Sequence, residues 1–198
     1  MAKLDITKQI HRIDEFIAKL SDPLHRQIME NYRRHTILEI TGNTDEILMD
    51  ELTVSEPVYL IDIEGKSLTL KGKAAVADFY SSLEDSEATV IVVEGQKLAV
   101  SDWGFASQAV YKTFMKGSEV LPKYGADPDK LYIREKLISV IWHYTSDVKL
   151  LGEHIFEHSE STRITEVPEE EFITLQEARE KLLPLLRPLP AFEPTPAV

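Results

Sequence analysis

The spacing of apolar positions changes twice along the chain, and each change marks a different kind of element. Ile6, Ile10, Ile13, Phe16, Ile17 and Leu20 recur three or four residues apart, which predicts an amphipathic helix over Ile6–Leu20. Ser21-Asp22-Pro23 ends it and opens a second helix over about Pro23–Thr41, since Asp caps a helix start and Pro is tolerated in the first turn. Gly42 is its stop, and a helical turn follows around Asp45–Glu51. The period then becomes that of strands. Thr53–Ile63 and Ser67–Leu70 flank Glu64-Gly65-Lys66, a predicted hairpin turn, and Pro57 inside the first strand points to an edge position or a bulge. Ala75, Val76, Phe79, Tyr80 and Leu83 return to helical spacing, so a third helix is predicted over Gly72–Leu83.

From there the chain reads almost entirely as strand: Ala88–Val93, Lys97–Val100, Phe105–Lys116, Lys130–Tyr144 and Val148–Glu157. Asp102-Trp103-Gly104 and Thr145-Ser146-Asp147 are the predicted turns, while the polar run Gly117–Asp129 is a longer loop expected to overhang a pocket. After the acidic stretch Glu166–Glu171, Thr174-Leu175-Gln176-Glu177 has the capping-box pattern of a last helix reaching about Leu186. Pro184, Pro188, Pro190, Pro194 and Pro196 make the end an extended tail. The expected organisation is an N-terminal helix (1–22), a cone-shaped α+β domain (23–160), and an acidic linker, helix and tail (161–198).

Composition narrows the function classes. The 198 residues are 43% hydrophobic and 28% charged, ordinary for a globular chain, and contain no cysteine, which removes disulfides and thiolate metal sites. No apolar run is long enough to span a bilayer, and Met1–Lys8 lacks the order of a signal peptide, so a cytoplasmic protein without a membrane partner is expected. A net charge of −12 opposes nucleic-acid binding, and the one dense basic cluster, Arg26, Arg33 and Arg34, reads as an exposed helix face. Neither a phosphate-binding Gly-rich loop, a dinucleotide fingerprint nor a G-x-S-x-G elbow occurs, so no cofactor is expected.

The order helix, helix, hairpin, helix, then long strands resembles the nuclear-transport-factor-2-like, or SnoaL-like, cone fold. Gly72-Lys73-Ala74-Ala75-Val76-Ala77-Asp78-Phe79-Tyr80 is similar to that superfamily's usual opening of its third helix. The resemblance covers roughly Leu24–Glu157 and implies a curved antiparallel sheet packed on three helices around an internal pocket. It also implies a homodimer. Similar proteins include ketosteroid isomerases, dehydratases, polyketide cyclases, an epoxide hydrolase and members that only bind or dimerise, so the activity rests on individual residues.

On a helical wheel His35, Ile28, Glu39, Tyr32 and His25 fall within about 100° of Leu24, opposite the arginines. A core-facing stripe with that many titratable groups must be paired or must line a wet cavity. By the resemblance, Tyr32, His35 and Glu39 act as donor, base and orienting carboxylate on a small, largely apolar substrate; as a buried network they would instead tie a helix to the sheet. His154 shares strand parity with Val148, Leu150 and Phe156 and is expected to point inward as a second pocket imidazole. Asp102, at a strand end, is a candidate acid as well as a turn residue. Tyr59, Phe79, Tyr111 and Trp142 are the candidates to shape the pocket, or plain core. Of His143 and Trp142, either side of one strand, parity does not say which faces the pocket. His154 and His158 are too far apart on a strand to share an ion, and His35 with Glu39 are too few ligands, so no metal site is expected. The resulting expectation is a cofactor-independent dehydratase or isomerase, with a non-catalytic binding or dimerisation module and an epoxide hydrolase as alternatives.

Overall fold

The computed structural model describes residues 3–85 and 89–192. The predicted strand start at Ala88, and Pro194 and Pro196 of the tail, lie outside the described residues. The elements in chain order are α1 (Lys8–Ile17), α2 (Pro23–Ile40), α3 (Thr44–Ile47), β1 (Val58–Ile63), β2 (Lys66–Lys71), α4 (Gly72–Asp85), β3 (Ile91–Ser101), β4 (Gly104–Lys116), β5 (Leu131–Tyr144), β6 (Leu150–Val167) and α5 (Leu175–Leu182).

Local chemistry accounts for most of these boundaries. Asp22 caps α2 by accepting from the His25 amide at 3.0 Å, with Pro23 in the first turn, and Thr174 caps α5 by accepting from the Glu177 amide at 3.2 Å. Between β1 and β2, Ile63 pairs with Lys66, so Glu64 and Gly65 form a two-residue turn with both φ angles positive, at 52° and 72°. That geometry matches the twist of a hairpin and favours Gly at its second position.

The six strands form one open sheet in the order β2-β1-β6-β5-β4-β3. It is mixed rather than wholly antiparallel, because β1 runs parallel to β6. β1 is therefore an interior strand and β2 the edge, and Pro57 precedes β1 and only accepts a hydrogen bond, from the Gly72 amide at 2.9 Å. The expected edge placement of Pro57 is thus corrected. The two strands predicted on either side of Gly95 are one, β3, with a register shift between Glu94 and Lys97. β6 runs well past its predicted end at Glu157, because the register jumps between His158 and Arg163 and that irregularity hides the strand period.

The inner face carries Phe105, Ala109 and Tyr111 from β4, Ile138, Val140 and Trp142 from β5, and Ile61 from β1, all against α2 and α4. α2 is buried on almost every side: Ile28, Met29, Ile37, Leu38 and Ile40 are at most 2% exposed. Of its three arginines only Arg26 lies on the solvated surface expected. Arg33 is 4% exposed, pairs with Asp14 of α1 at 2.7 Å and donates to the Leu185 carbonyl at 3.0 Å, while Arg34 reaches Glu46 and the Arg187 carbonyl. The charges face inward because α1 and the chain after α5 bring acceptors over them, with Gln27 donating to the Pro190 carbonyl at 2.9 Å.

The Gly117–Asp129 segment does not overhang the pocket. It folds into two short 3-10 turns packed on Met115, Val120 and Tyr132, and reaches the inner face only through the Lys123–Glu64 ion pair at 3.0 Å. Among the described residues no helix is long and apolar enough to cross a membrane.

Candidate active site

Between α2, α4 and the inner face of the sheet lies a cavity of about 150 Å³. One end is closed by an aromatic cluster in which Phe105 stacks on Trp142 at 5.4 Å and Tyr32 meets Trp142 edge-on at 5.1 Å. The walls are Ile and Val side chains of β3, β5 and β6, with Phe79 and Leu83 from α4. Three carboxyl groups also line it, Glu39 from α2 and Glu153 and Glu157 from β6.

Glu39 and Glu153 converge on one imidazole. His35 Nε2 lies 3.4 Å from Glu153 Oε1, 3.7 Å from Glu39 Oε2 and 3.2 Å from the Tyr80 hydroxyl. Tyr80 also donates to Glu153 at 3.3 Å and touches the Tyr59 hydroxyl at 3.5 Å, so one buried network joins α2, α4, β1 and β6. The Glu39 contact is too long for a hydrogen bond, and its side chain stays 28% exposed against 6% for Glu153. Glu39 is the more exposed of the two network carboxyls that line the cavity, and His35 stands behind them, held edge-on to Trp142 at 5.0 Å.

Burial drives every member of this network toward its neutral form. It raises Glu39 to about 7, lifts Glu153 well above the carboxylate range with help from the Glu39 charge, and lowers His35 to about 3. At neutral pH His35 is therefore an uncharged imidazole, and its short contacts to carboxyl oxygens are not an ion pair. Tyr32 is raised to about 12 by burial, and its oxygen accepts from the Gln96 amide at 2.7 Å.

Among the predicted site residues, Tyr32, Glu39, Phe79, Tyr111 and Trp142 line the cavity. His35 and Tyr59 sit one layer back in the network. Trp142, not His143, is the one that faces inward.

Two candidates are elsewhere. His154 lies on the opposite face of the sheet, its ring 4.5 Å from that of His143. The parity argument failed because the register slips between His143 and Tyr144, leaving Leu151 unpaired, so that Leu150 and Glu153 share the inner side. Asp102 sits at the β3–β4 turn with its side chain 83% exposed, 2.8 Å from His25 Nε2, and contributes nothing to the cavity.

Glu153, Tyr80, Lys136, Glu157 and Arg134 were missed as site residues. Glu157 and Lys136, 1% and 3% exposed in their side chains, pair with each other at 2.6 Å, and Lys136 also holds Glu64. The available signal was the alternation of Arg134 and Lys136 with Ile138, Val140 and Trp142 on one parity of β5. Among the described residues no group of three or more His, Asp or Glu side chains is arranged to hold a metal ion.

No protein-family model and no curated protein matches the chain. Solved structures do match in shape. A protein assigned as a SnoaL-like polyketide cyclase from Jannaschia sp. CCS1 superposes with a TM-score of 0.53 at 12% identity, over 72% of this chain and 92% of that one. A protein assigned as a polyketide cyclase from Xanthomonas campestris pv. campestris gives 0.49 at 14% identity, over 69% and 94%. The epoxide hydrolase/cyclase-like enzyme SalBIII gives 0.47 at 13%, over 78% and 97%. The latter two scores add nothing to the argument, and at such identities the first speaks for shape alone. The α2–β6 cavity thus sits in a chain that shares its fold with the Jannaschia protein.

Proposed function

We propose that the protein is a cofactor-independent enzyme that moves a proton on a small, largely apolar organic molecule, as an isomerase or dehydratase does. The observation that carries this reading is the Glu39 carboxyl, which faces an apolar cavity with its pKa raised to about 7. A carboxyl titrating there is both a competent base and a competent acid at neutral pH.

In this reading Glu39, not His35, is the group that takes the proton. As the carboxylate it removes a proton from a carbon beside a carbonyl. The carbonyl oxygen gains charge and accepts a hydrogen bond from Tyr32, whose own O–H is available because Gln96 donates to its oxygen. Glu39 then returns the proton to another carbon, or to a β-hydroxyl that departs as water. Burial and the nearby Glu39 charge disfavour ionisation of Glu153, and with it a second negative charge beside Glu39, while Tyr80 holds the Glu153 side chain in place by a hydrogen bond.

The reading is tested by following hydrogen–deuterium exchange at the α-carbon of a panel of small cyclic and aryl ketones in D2O by NMR. Wild-type protein is expected to catalyse exchange for at least one member, and Glu39→Gln to slow it by about 100-fold or more. Equal exchange by both proteins, or none above buffer across the panel, rejects the reading.

A second reading is a non-catalytic ligand-binding module, in which the same buried network only ties α2 to the sheet. The position of His35 behind the cavity wall favours it. It is selected if panel members bind with no exchange.

A further inference from the structure

Several buried and half-buried cations find carboxylate or carbonyl acceptors, and Arg134 does not. Arg33 has Asp14 and Leu185, Lys136 has Glu157 and Glu64, and Lys112 has Glu94 and Glu135. Arg134 lines the cavity, half-buried on β5 opposite Thr113, and its Nε–H is buried without a hydrogen-bond partner among the described residues. No described carboxylate pairs with its guanidinium. A guanidinium is a planar fork of donors whose geometry fits a carboxylate through two parallel hydrogen bonds, and leaving a buried donor unmade is costly.

The surroundings select the kind of anion. Beside Arg134, Glu157 and Glu64 balance Lys136 and Lys123, two acids against two cations, which leaves the Arg134 charge uncompensated. A single negative charge is accommodated by Arg134 alone, whereas a phosphate dianion would add charge beside two glutamates. Further along β5, Ile138 and Val140 offer only hydrocarbon before Trp142 and the acid–base end. Ile138 lies four residues from Arg134, about 13 Å along an extended strand.

We propose that Arg134 receives a carboxylate of the substrate, so that the substrate is a small carboxylic acid with an apolar body. The carboxylate sits at the Arg134 end, the body lies along Ile138 and Val140, and the reacting carbon reaches Glu39. This deepens the acid–base reading and rests on it for the placement of the reacting carbon, but the carboxylate contact is measured by binding alone.

The test compares 4-phenylbutanoate with its neutral isostere 4-phenylbutanamide by calorimetric titration at pH 7.5, using wild type, Arg134→Gln, Arg134→Lys and Glu39→Gln. Wild type is expected to prefer the carboxylate by at least about tenfold. Arg134→Gln erases that preference without weakening the amide, and Arg134→Lys, which keeps the charge if the first variant fails to fold, retains only part of it. Glu39→Gln keeps the full preference even though it slows proton exchange. Equal affinity of wild type for the two probes, binding of neither, or a preference that survives in Arg134→Gln overturns the proposal. A preference that depends on Arg134 while Glu39→Gln still exchanges protons at the wild-type rate would sustain this proposal and reject the acid–base reading instead.

Discussion

Glu39 and His35 stand one helical turn apart, and burial moves their proton affinities in opposite directions. Glu39 is raised from the usual 4.5 to about 7, so the folded protein holds its proton more tightly than the unfolded chain does. The stability this contributes is complete below about pH 4 and is lost as pH rises to about 7. His35 is lowered from 6.5 to about 3, so its contribution is present above about pH 6.5 and lost as pH falls toward 3. Denaturant unfolding across this range separates the two. The stability of wild type relative to Glu39→Gln is expected to fall by on the order of 2 kcal/mol from pH 4 to pH 7, an amount reduced by the partial exposure of the carboxyl. Relative to His35→Gln it is expected to rise with pH over the acidic half of the range. A wild-type-minus-Glu39→Gln difference that does not change with pH would mean Glu39 titrates as it does in water. The sequence showed this stripe because Tyr32, His35 and Glu39 share one side of α2 with Ile28. It did not show their partners, since Glu153 and Tyr80 come from elements whose approach to α2 only the tertiary fold sets.

At the level of elements, the decisive feature is the irregular start of β6. Leu151 is left out of the β5–β6 pairing, and the next residue, Gly152, has a φ of +146° and passes directly against β1. A Cβ there would lie 1.8 Å from the Val58 carbonyl oxygen, a backbone atom that cannot swing aside. Glycine is therefore required for β6 to lie parallel to β1 with Glu153 turned inward. Gly152→Ala is expected to destabilise the protein by roughly 3 kcal/mol in denaturant titration and to disturb the cavity as well. A loss below about 1 kcal/mol would show that the strand relaxes easily. The same irregularity explains what strand parity could not reveal. Counting by twos from Val148 through Leu150 puts His154 inside, and one unpaired residue exchanges it for Glu153. Helix starts at Asp22 and Thr174 were legible because caps are local chemistry. The bulges near Gly95, Leu151 and His158 were not, because they arise from pairing with a neighbouring strand.

Across the whole molecule, charge is sorted differently from the pattern of a solvated surface. Arg33, Lys136, Glu153 and Glu157 all lie inside, and each is paired or hydrogen-bonded across elements far apart in sequence. Arg33 joins α2 to α1 and to the chain after α5, while Lys136 joins β5 to β6 and the β1–β2 turn. Reading charge as exposure placed Arg33 and Arg34 in solvent with Arg26, and it holds for Arg26 alone. The cone architecture itself was readable because element order and turn chemistry carry it, whereas the polar interior was not. The proposed acid–base chemistry depends on one property of that interior, a cavity-lining carboxyl whose pKa burial raises to about 7. Carbon-13 NMR titration of the glutamate side-chain carboxyls, assigned by loss of the Glu39→Gln signal, measures it directly. A midpoint near pH 7 for Glu39 that shifts in Glu153→Gln is the predicted result, and a midpoint in the ordinary range of about 4 to 5 would contradict it.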